Sequence, residues 1–284
     1  MNVIEKVSEL RTWRRQPGDV FFVPTMGALH EGHATLLREA RASTGGRVAV
    51  SIFVNPLQFG PKEDFSRYPR TLEADLALCE SCGADMVFAP TADEVYFENR
   101  SISIRETSLS RVLCGASRPG HFDGVCTVVA KLFNLVQPDV ALFGKKDYQQ
   151  LAIIRRLVRD LDFAVEIRGS ETVRESDGLA MSSRNRYLTE EERSQAPGLR
   201  AALLSARAAW NAGETNGAAL EAMTREEISL RCPLGAVDYV SAVDSRTLAP
   251  LDEIQDQGLL ALAVFFGKTR LIDNIELHRD ESKR

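Results

Sequence analysis

The chain has 284 residues, long enough for two domains and a sizeable core. Its net charge of −5, from 35 Lys and Arg against 40 Asp and Glu, argues against a broad nucleic-acid-binding surface and favours small-molecule chemistry. No apolar run approaches the length of a membrane span, Met1–Lys6 holds no apolar signal core, and five scattered cysteines outline no disulfide framework, so a soluble cytoplasmic protein with no membrane or nucleic-acid partner is expected.

The first strong element is Val20–Val23, a continuous apolar run of the kind found in strands buried on both faces. It leads into Pro24-Thr25-Met26-Gly27-Ala28-Leu29-His30-Glu31-Gly32-His33, after which Leu36, Leu37 and Ala40 recur at helical spacing. A strand, a glycine turn and a helix start suit a polyphosphate. The unpaired amides of the first turn and the positive end of the helix dipole attract anions, and imidazoles can donate hydrogen bonds as charge develops. Two other readings remain open at this point. Such turns join strands to helices in many α/β proteins without binding anything, and His-Glu-x-His superficially resembles a zincin helix. The zincin pattern sets its histidines four apart, whereas His30 and His33 are three apart, and no metal ligand is assigned.

The next strand, Val48–Val54, is broken by Asn55-Pro56, and Gln58 follows as either a solvated turn amide or a ligand-rim group. A helix is expected over Thr71–Ser81, closed by Gly83. It carries Cys79 and leads to Cys82, spaced like half a zinc site but lacking a second pair, so reduced structural thiols are expected. Met86–Phe88 is a short strand. Ser117–Gly124 reads as a Gly-rich basic loop, an anion-binding lid or merely a turn, ahead of a helix over Val125–Val136. The strand Val140–Phe143 then meets Gly144-Lys145-Lys146-Asp147 at the start of a helix over Tyr148–Leu161. Those lysines can neutralise phosphate or simply face solvent, and Asp147 can cap the helix or hold a ribose or Mg²⁺. Phe163–Ile167 is a further expected strand. Strands alternating with helices predict a Rossmann-like, doubly wound parallel α/β domain, with ligands at the carboxyl ends of its strands.

The pattern changes after Val173. Met181-Ser182-Ser183-Arg184 suits a pyrophosphate clamp and is equally an ordinary helix-capping composition. Helices over Ala196–Ala212 and Gly217–Leu230 precede β-rich segments at Val237–Val243, Leu259–Phe266 and Thr269–Asn274, which predicts a second, smaller α+β domain. The expected domains are 1–173 and 174–284.

PTMGALHEGH resembles the HxGH signature of class I synthetases and nucleotidylyl transferases, and MSSRN resembles a variant of their KMSKS loop. With NPLQF, SRPGHFDGV and FGKKDYQQ in the same order, the chain resembles the pantothenate synthetase (pantoate–β-alanine ligase) family over nearly its whole length. The resemblance implies ATP-dependent condensation of (R)-pantoate with β-alanine to pantothenate, AMP and pyrophosphate, through an enzyme-held pantoyl adenylate, on the route to coenzyme A.

The resemblance also implies roles. Met26, Gly27, Ala28, Leu29, His30, Glu31, Gly32 and His33 would line the ATP site, together with Gly144, Lys145, Lys146, Asp147, Val173, Met181, Ser182, Ser183 and Arg184. His30, His33 and Lys146 would carry catalysis, with His33 as proton donor, and Gln58 and Gln150 would hold pantoate, Gln58 also lying near β-alanine. Some relatives use an acidic pair around Mg²⁺ in the segment that matches Leu72-Glu73-Ala74-Asp75 here. Ala74 interrupts that pair, so Mg²⁺ is expected to arrive as the ATP complex. The second domain is expected to close over the nucleotide, and a homodimer to form through the first. Two rivals stay in view: a nucleotidylyl transferase whose product keeps the adenylyl group, and a noncatalytic ATP sensor. Arg118 and His121 stand between phosphate contact and a loop role.

Overall fold

A computed structural model describes residues 1–60 and 65–279. Residues 61–64 of the first expected domain and 280–284 of the second lie outside the described residues. The chain divides into two compact units, one of Met1–Arg111, Gly115–Lys145 and Ile153–Glu171, the other of Val112–Cys114, Lys146–Ala152 and Thr172–Arg284.

The first unit alternates strands and helices: β1 (Asn2–Ile4), α1 (Val7–Arg14), β2 (Val20–Thr25), α2 (Glu31–Ser43), β3 (Arg47–Ile52), α3 (Leu72–Ser81), β4 (Met86–Phe88) and α4 (Ala92–Val95). It continues through α5 (Leu113–Ser117), α6 (His121–Val136), β5 (Val140–Gly144), α7 (Tyr148–Asp160) and β6 (Glu166–Ser170), with α5 and α7 each shared between the two units. The six strands form one parallel sheet in the order β1-β4-β3-β2-β5-β6. Phe21 and Val23 of β2, Val48 and Val50 of β3, and Val140 and Leu142 of β5 share one core with Leu36, Leu37 and Ala40 of α2 and with Cys79 of α3. Val20 and Phe22, on the opposite face of β2, are also fully buried, which is why these strands read as unbroken apolar runs.

Strand order marks a place where a ligand could bind. From β2 the chain winds outward through β3 to β4, then returns to lay β5 on the other side of β2. The carboxyl ends of β2 and β5 therefore flank the point where the winding reverses, and ligands of doubly wound sheets bind in that crevice.

Several elements differ from expectation. The Gly-rich segment before Val125 is not a loop as far as Gly124, because α6 already begins at His121, with Gly120 (φ +82°) making the turn. The last strand begins at Glu166, not Phe163: Asp162 adopts a left-handed φ of +50° after α7, and the Phe163 ring lies 5.7 Å from that of Phe133. As an edge strand, β6 needs no continuous apolar run. Neither β1 nor α1 is apparent in the sequence, since β1 buries only Ile4 and α1 only Leu10 and Trp13.

The second unit pairs α9 (Gly198–Asn211) and α10 (Gly217–Arg231) with an antiparallel sheet of β7 (Gly235–Val243), β8 (Gln257–Phe266) and β9 (Thr269–His278), preceded by the short α8 (Glu190–Gln195). Its core includes Trp210, whose indole N–H donates to the Ile254 carbonyl at 2.7 Å, together with Leu203, Leu260, Leu262 and Val264. Asn216 starts α10 by accepting the Ala219 amide at 2.8 Å. No helix among the described residues is long and apolar enough to cross a membrane.

Candidate active site

The turn after β2 is built by two histidines and a buried aspartate. His30 is the N-cap of α2: its Nδ1 accepts the Gly32 amide at 3.1 Å, and the His30 amide donates to Nδ1 of His33 at 3.2 Å. This is a reciprocal capping box made from imidazoles, with ring centroids 4.2 Å apart. An amide N–H can only donate, so each Nδ1 must be bare and each neutral ring carries its proton on Nε2. Two Nε2–H donors thus sit at the positive end of a 13-residue helix.

Before the cap, Gly27 (φ +83°) and Ala28 (φ +52°) both take left-handed backbone conformations, an unfavourable one for alanine. Asp75, reached from α3 and 2% exposed, holds them. Its Oδ2 accepts the Ala28 amide at 2.9 Å, and its Oδ1 accepts the Leu29 amide at 2.8 Å and the Thr71 hydroxyl at 3.1 Å. A Cβ on Gly27 would lie 3.0 Å from that carboxylate, so the close approach requires glycine. The sequence signals this role for Asp75 only by its acidity near the start of α3.

Gln58 ends the short 3₁₀ turn Pro56–Gln58 beyond β3 and is 7% exposed. Its carbamoyl oxygen accepts from Asn55 Nδ2 at 3.1 Å, and its Nε2 meets Met26 Sδ, so the structure brings Gln58 and the turn after β2 together. Asn55 is the hub. Its Oδ1 accepts the Leu57 amide at 3.2 Å and the Tyr96 hydroxyl at 2.8 Å, while Nδ2 also donates to the Gly124 carbonyl at 3.0 Å. Burial pushes the Tyr96 phenol well above its ordinary pKa, which keeps it a donor. Asn55 and Tyr96 were not among the expected site residues; only the helix-cap character of Asn55 before Pro56 hinted at its part.

Gly144 closes β5, next to β2, and Lys145 follows it, paired with Glu171 of the same unit. The cysteines are free, and burial raises Cys79 and Cys126 to about 12, which makes them inert packing thiols.

The remaining expected residues belong to the second unit. Lys146 has its Nζ 3.9 Å from Asp147 Oδ2, and its carbonyl accepts from Asn274 Nδ2 at 3.0 Å. Gln150 is half-buried in the first turn of α7, beside Gln149, whose Nε2 donates to the Val112 carbonyl at 2.7 Å. Val173 and Met181 are the two ends of a hairpin: the Val173 carbonyl accepts the Met181 amide at 3.0 Å, and Arg174 pairs with Ala180. The hairpin is tied to its surroundings by ion pairs: Arg193 of α8 bonds Glu175 at 2.6 Å and Asp177 at 2.7 Å, and Arg174 makes a two-pronged pair with buried Asp273 of β9 at 2.7 and 2.9 Å. Ser182 caps the 3₁₀ turn Ser183–Tyr187 by accepting the Arg184 amide at 3.3 Å, so its hydroxyl has a structural task as well.

Residues 2–276 match the family model described as pantoate-beta-alanine ligase. A pantothenate synthetase from Pelobacter propionicus is 53% identical over 281 residues, covering 98% of each chain. The solved pantothenate synthetase of Thermus thermophilus superposes with a TM-score of 0.93 at 47% identity, covering 98% of this chain and 100% of that one. The pantoate-beta-alanine ligase of Francisella tularensis, solved in complex with beta-gamma ATP and beta-alanine, gives a TM-score of 0.78 at 31% identity and 97% coverage of each chain.

Proposed function

The chain belongs to the pantoate-beta-alanine ligase family, enzymes that condense pantoate with beta-alanine at the expense of ATP, and from that premise we propose how its residues carry the reaction. A free carboxylate resists an amine because its leaving group would be oxide. Adenylation removes the obstacle: a carboxylate oxygen of (R)-pantoate bonds to the α-phosphorus of ATP, the bond to the β-phosphate oxygen breaks, and pyrophosphate leaves. The amine of β-alanine then attacks the acyl carbon, the bond to the phosphate oxygen breaks, AMP departs, and the surplus amine proton is released.

Little of this needs covalent help from the protein; it needs position and compensating charge. The reading rests on the paired imidazole cap, which presents two Nε2–H donors beside the reversal point of the sheet. His30 and His33 stabilise the phosphates, His33 acting as proton donor, and Met26–Glu31 with Gly32 line the nucleotide. Gly144, Lys145 and Asp147 also contact it, Lys146 meets the α-phosphate, Val173 offers backbone hydrogen bonds to adenine, and Met181–Arg184 close over the phosphates. Gln58 and Gln150 hold the hydroxyl and carboxylate of pantoate. The ligands in the Francisella relative support ATP and β-alanine as substrates here.

Mg²⁺ enters as the ATP complex, held by phosphates and water. The described residues contain no group of three or more His, Cys, Asp or Glu side chains able to hold a metal, and Asp75 spends its oxygens on two amides and a hydroxyl. No protein ligand is assigned and no step runs through the cation. A homodimer joined through the first unit belongs to the same proposal, supported by the exposed Phe97 and Ile102 there, and sedimentation tests it. Residence in the cytoplasm is the final part, open to cell fractionation.

The deciding experiment is mass analysis of products from ATP, pantoate and β-alanine, omitting each in turn. Pantothenate, AMP and pyrophosphate appear together only with all three present. A stable product that keeps the adenylyl group would point instead to a nucleotidylyl transferase, and intact ATP to a sensor.

A further inference from the structure

We infer that His121 is a positioning residue for the acid site, acting on Gln58 in a relay in which Arg118 only fixes the tautomer of the ring and the ring Nδ1–H holds the Gln58 backbone. Three observations carry this. His121 Nδ1 lies 2.8 Å from the Gln58 carbonyl oxygen, and a carbonyl only accepts, so Nδ1 carries the proton. Arg118 Nη1 lies 3.0 Å from His121 Nε2, and a guanidinium only donates, so Nε2 is bare. The neutral ring is thus locked in one tautomer, opposite to that of His30 and His33, and its N–H is already spent. That makes His121 a poor phosphate donor and a good backbone clamp.

The third observation is how tightly the clamp is seated. A Cβ on Gly124, one turn along α6, would lie 2.3 Å from the Leu57 carbonyl oxygen and 2.6 Å from the Gln58 amide nitrogen, so the helix runs directly against the turn. Asn55 Nδ2 ties the two together by donating both to the Gly124 carbonyl and to Gln58 Oε1. The Gln58 backbone is fixed by His121 and its side chain by Asn55. A buried carbamoyl group set at both ends can meet the hydroxyl and carboxylate oxygens of a hydroxy acid without first ordering itself. The inference rests on the assignment of Gln58 to pantoate.

Steady-state kinetics on the full-length enzyme, with pantoate and ATP varied separately, test it. In His121→Ala the KM for pantoate should rise about tenfold, the effect of losing one hydrogen bond to a buried carbonyl, with the KM for ATP unchanged. Two isosteric variants separate the ring nitrogens. His121→Asn keeps a donor at the Nδ1 position and should behave like wild type, whereas His121→Gln keeps only the Arg118 end and should itself raise the KM for pantoate about tenfold, which keeps the test open where the alanine variant folds poorly. In a Gln58→Ala background, His121→Ala should add nothing further. Multiplicative losses in that double variant, a rise confined to the KM for ATP, or failure of the asparagine to rescue would overturn the relay. If Gln58→Ala itself leaves pantoate use untouched, the Gln58 assignment falls and the relay with it; a normal Gln58→Ala effect beside a silent His121→Ala and His121→Gln removes the relay alone.

Discussion

Asp75 holds Ala28 in a conformation that alanine seldom adopts: Oδ2 accepts the Ala28 amide at 2.9 Å while the Ala28 φ is +52°. Left-handed backbone costs an L-residue roughly 1–2 kcal/mol, and a buried carboxylate accepting three hydrogen bonds is a sufficient counterweight. The consequence reaches His30 two residues later, because the turn of Gly27 and Ala28 sets the direction in which α2 starts. An acidic residue that an Mg²⁺ role would place at the metal is here a scaffold for the imidazole cap.

Asp75→Asn should expose that dependence. An amide has one acceptor oxygen where the carboxylate uses two, so one backbone N–H would face an NH₂ group, at a cost of roughly 1–3 kcal/mol. We expect a lower denaturation midpoint and slower adenylation, with both defects insensitive to Mg²⁺ concentration. Full rescue of the rate by raised Mg²⁺ would identify Asp75 as a metal ligand and sink the scaffold role.

The observed capping role of His30 and its proposed role toward the phosphates can be separated. His30→Asn retains a strong N-cap, whereas His30→Ala loses the cap and should cost about 0.5–2 kcal/mol in stability. Neither carries an Nε2–H, so both should slow pyrophosphate release from ATP and pantoate by roughly 10²–10³-fold. His33→Ala should match them. A rapid-quench measurement without β-alanine isolates this step, and near-normal pyrophosphate release in His30→Asn and His33→Ala would reject the pair as transition-state donors.

The frame of the first unit was legible because β2, β3 and β5 are buried on both faces and must be apolar throughout, and the turn from Met26 to His33 was legible because two of only four histidines stand three apart after a glycine at the end of a strand. Elements whose partners are distant were not. Little local distinguishes Asp75 from a solvated helix carboxylate, since only Thr71 among its donors is nearby and the two amides come from residues 28 and 29. His121 and Gly124 looked like loop residues because glycine weakens a helix. In the structure Gly124 is required within α6 by the Leu57 carbonyl that a Cβ would strike.

Lys146 stands apart from its neighbour Lys145, which is engaged with Glu171, whereas the Lys146 ammonium is 3.9 Å from Asp147, too long for a direct hydrogen bond. Lys146→Met keeps the length of the stem and removes the charge. Adenylate formation should fall by roughly 10²–10³-fold while the second step, assayed with preformed pantoyl adenylate and β-alanine, is slowed far less. Equal loss in both half-reactions would mean that Lys146 acts on something common to them and not on the triphosphate.

The hairpin between Val173 and Met181 offers a test of how the second unit supports the residues proposed to meet the nucleotide. Arg174 grips Asp273 with two hydrogen bonds and also donates to the Gly178 carbonyl at 3.1 Å, while the Asp273 side chain is only 3% exposed. Removing Arg174 strands a buried carboxylate, a change that typically costs about 3–5 kcal/mol. The lower end is expected, because the Arg200 guanidinium interacts with the same carboxylate; burial, with Arg174 alongside, holds Arg200 below its ordinary pKa. Arg174→Ala should therefore unfold at a clearly lower urea midpoint, and the change should be smaller for Asp273→Asn, which strands only the Arg174 guanidinium, 19% exposed against 3% for the carboxylate. Replacing both together, Arg174→Met with Asp273→Leu, should recover much of the stability, since the desolvation cost disappears with the pair. If the folded double variant nevertheless adenylates pantoate slowly, the pair is retained for the alignment of Val173 and Met181; if it is as fast as wild type, the hairpin needs only to be folded, and the alignment role is refuted.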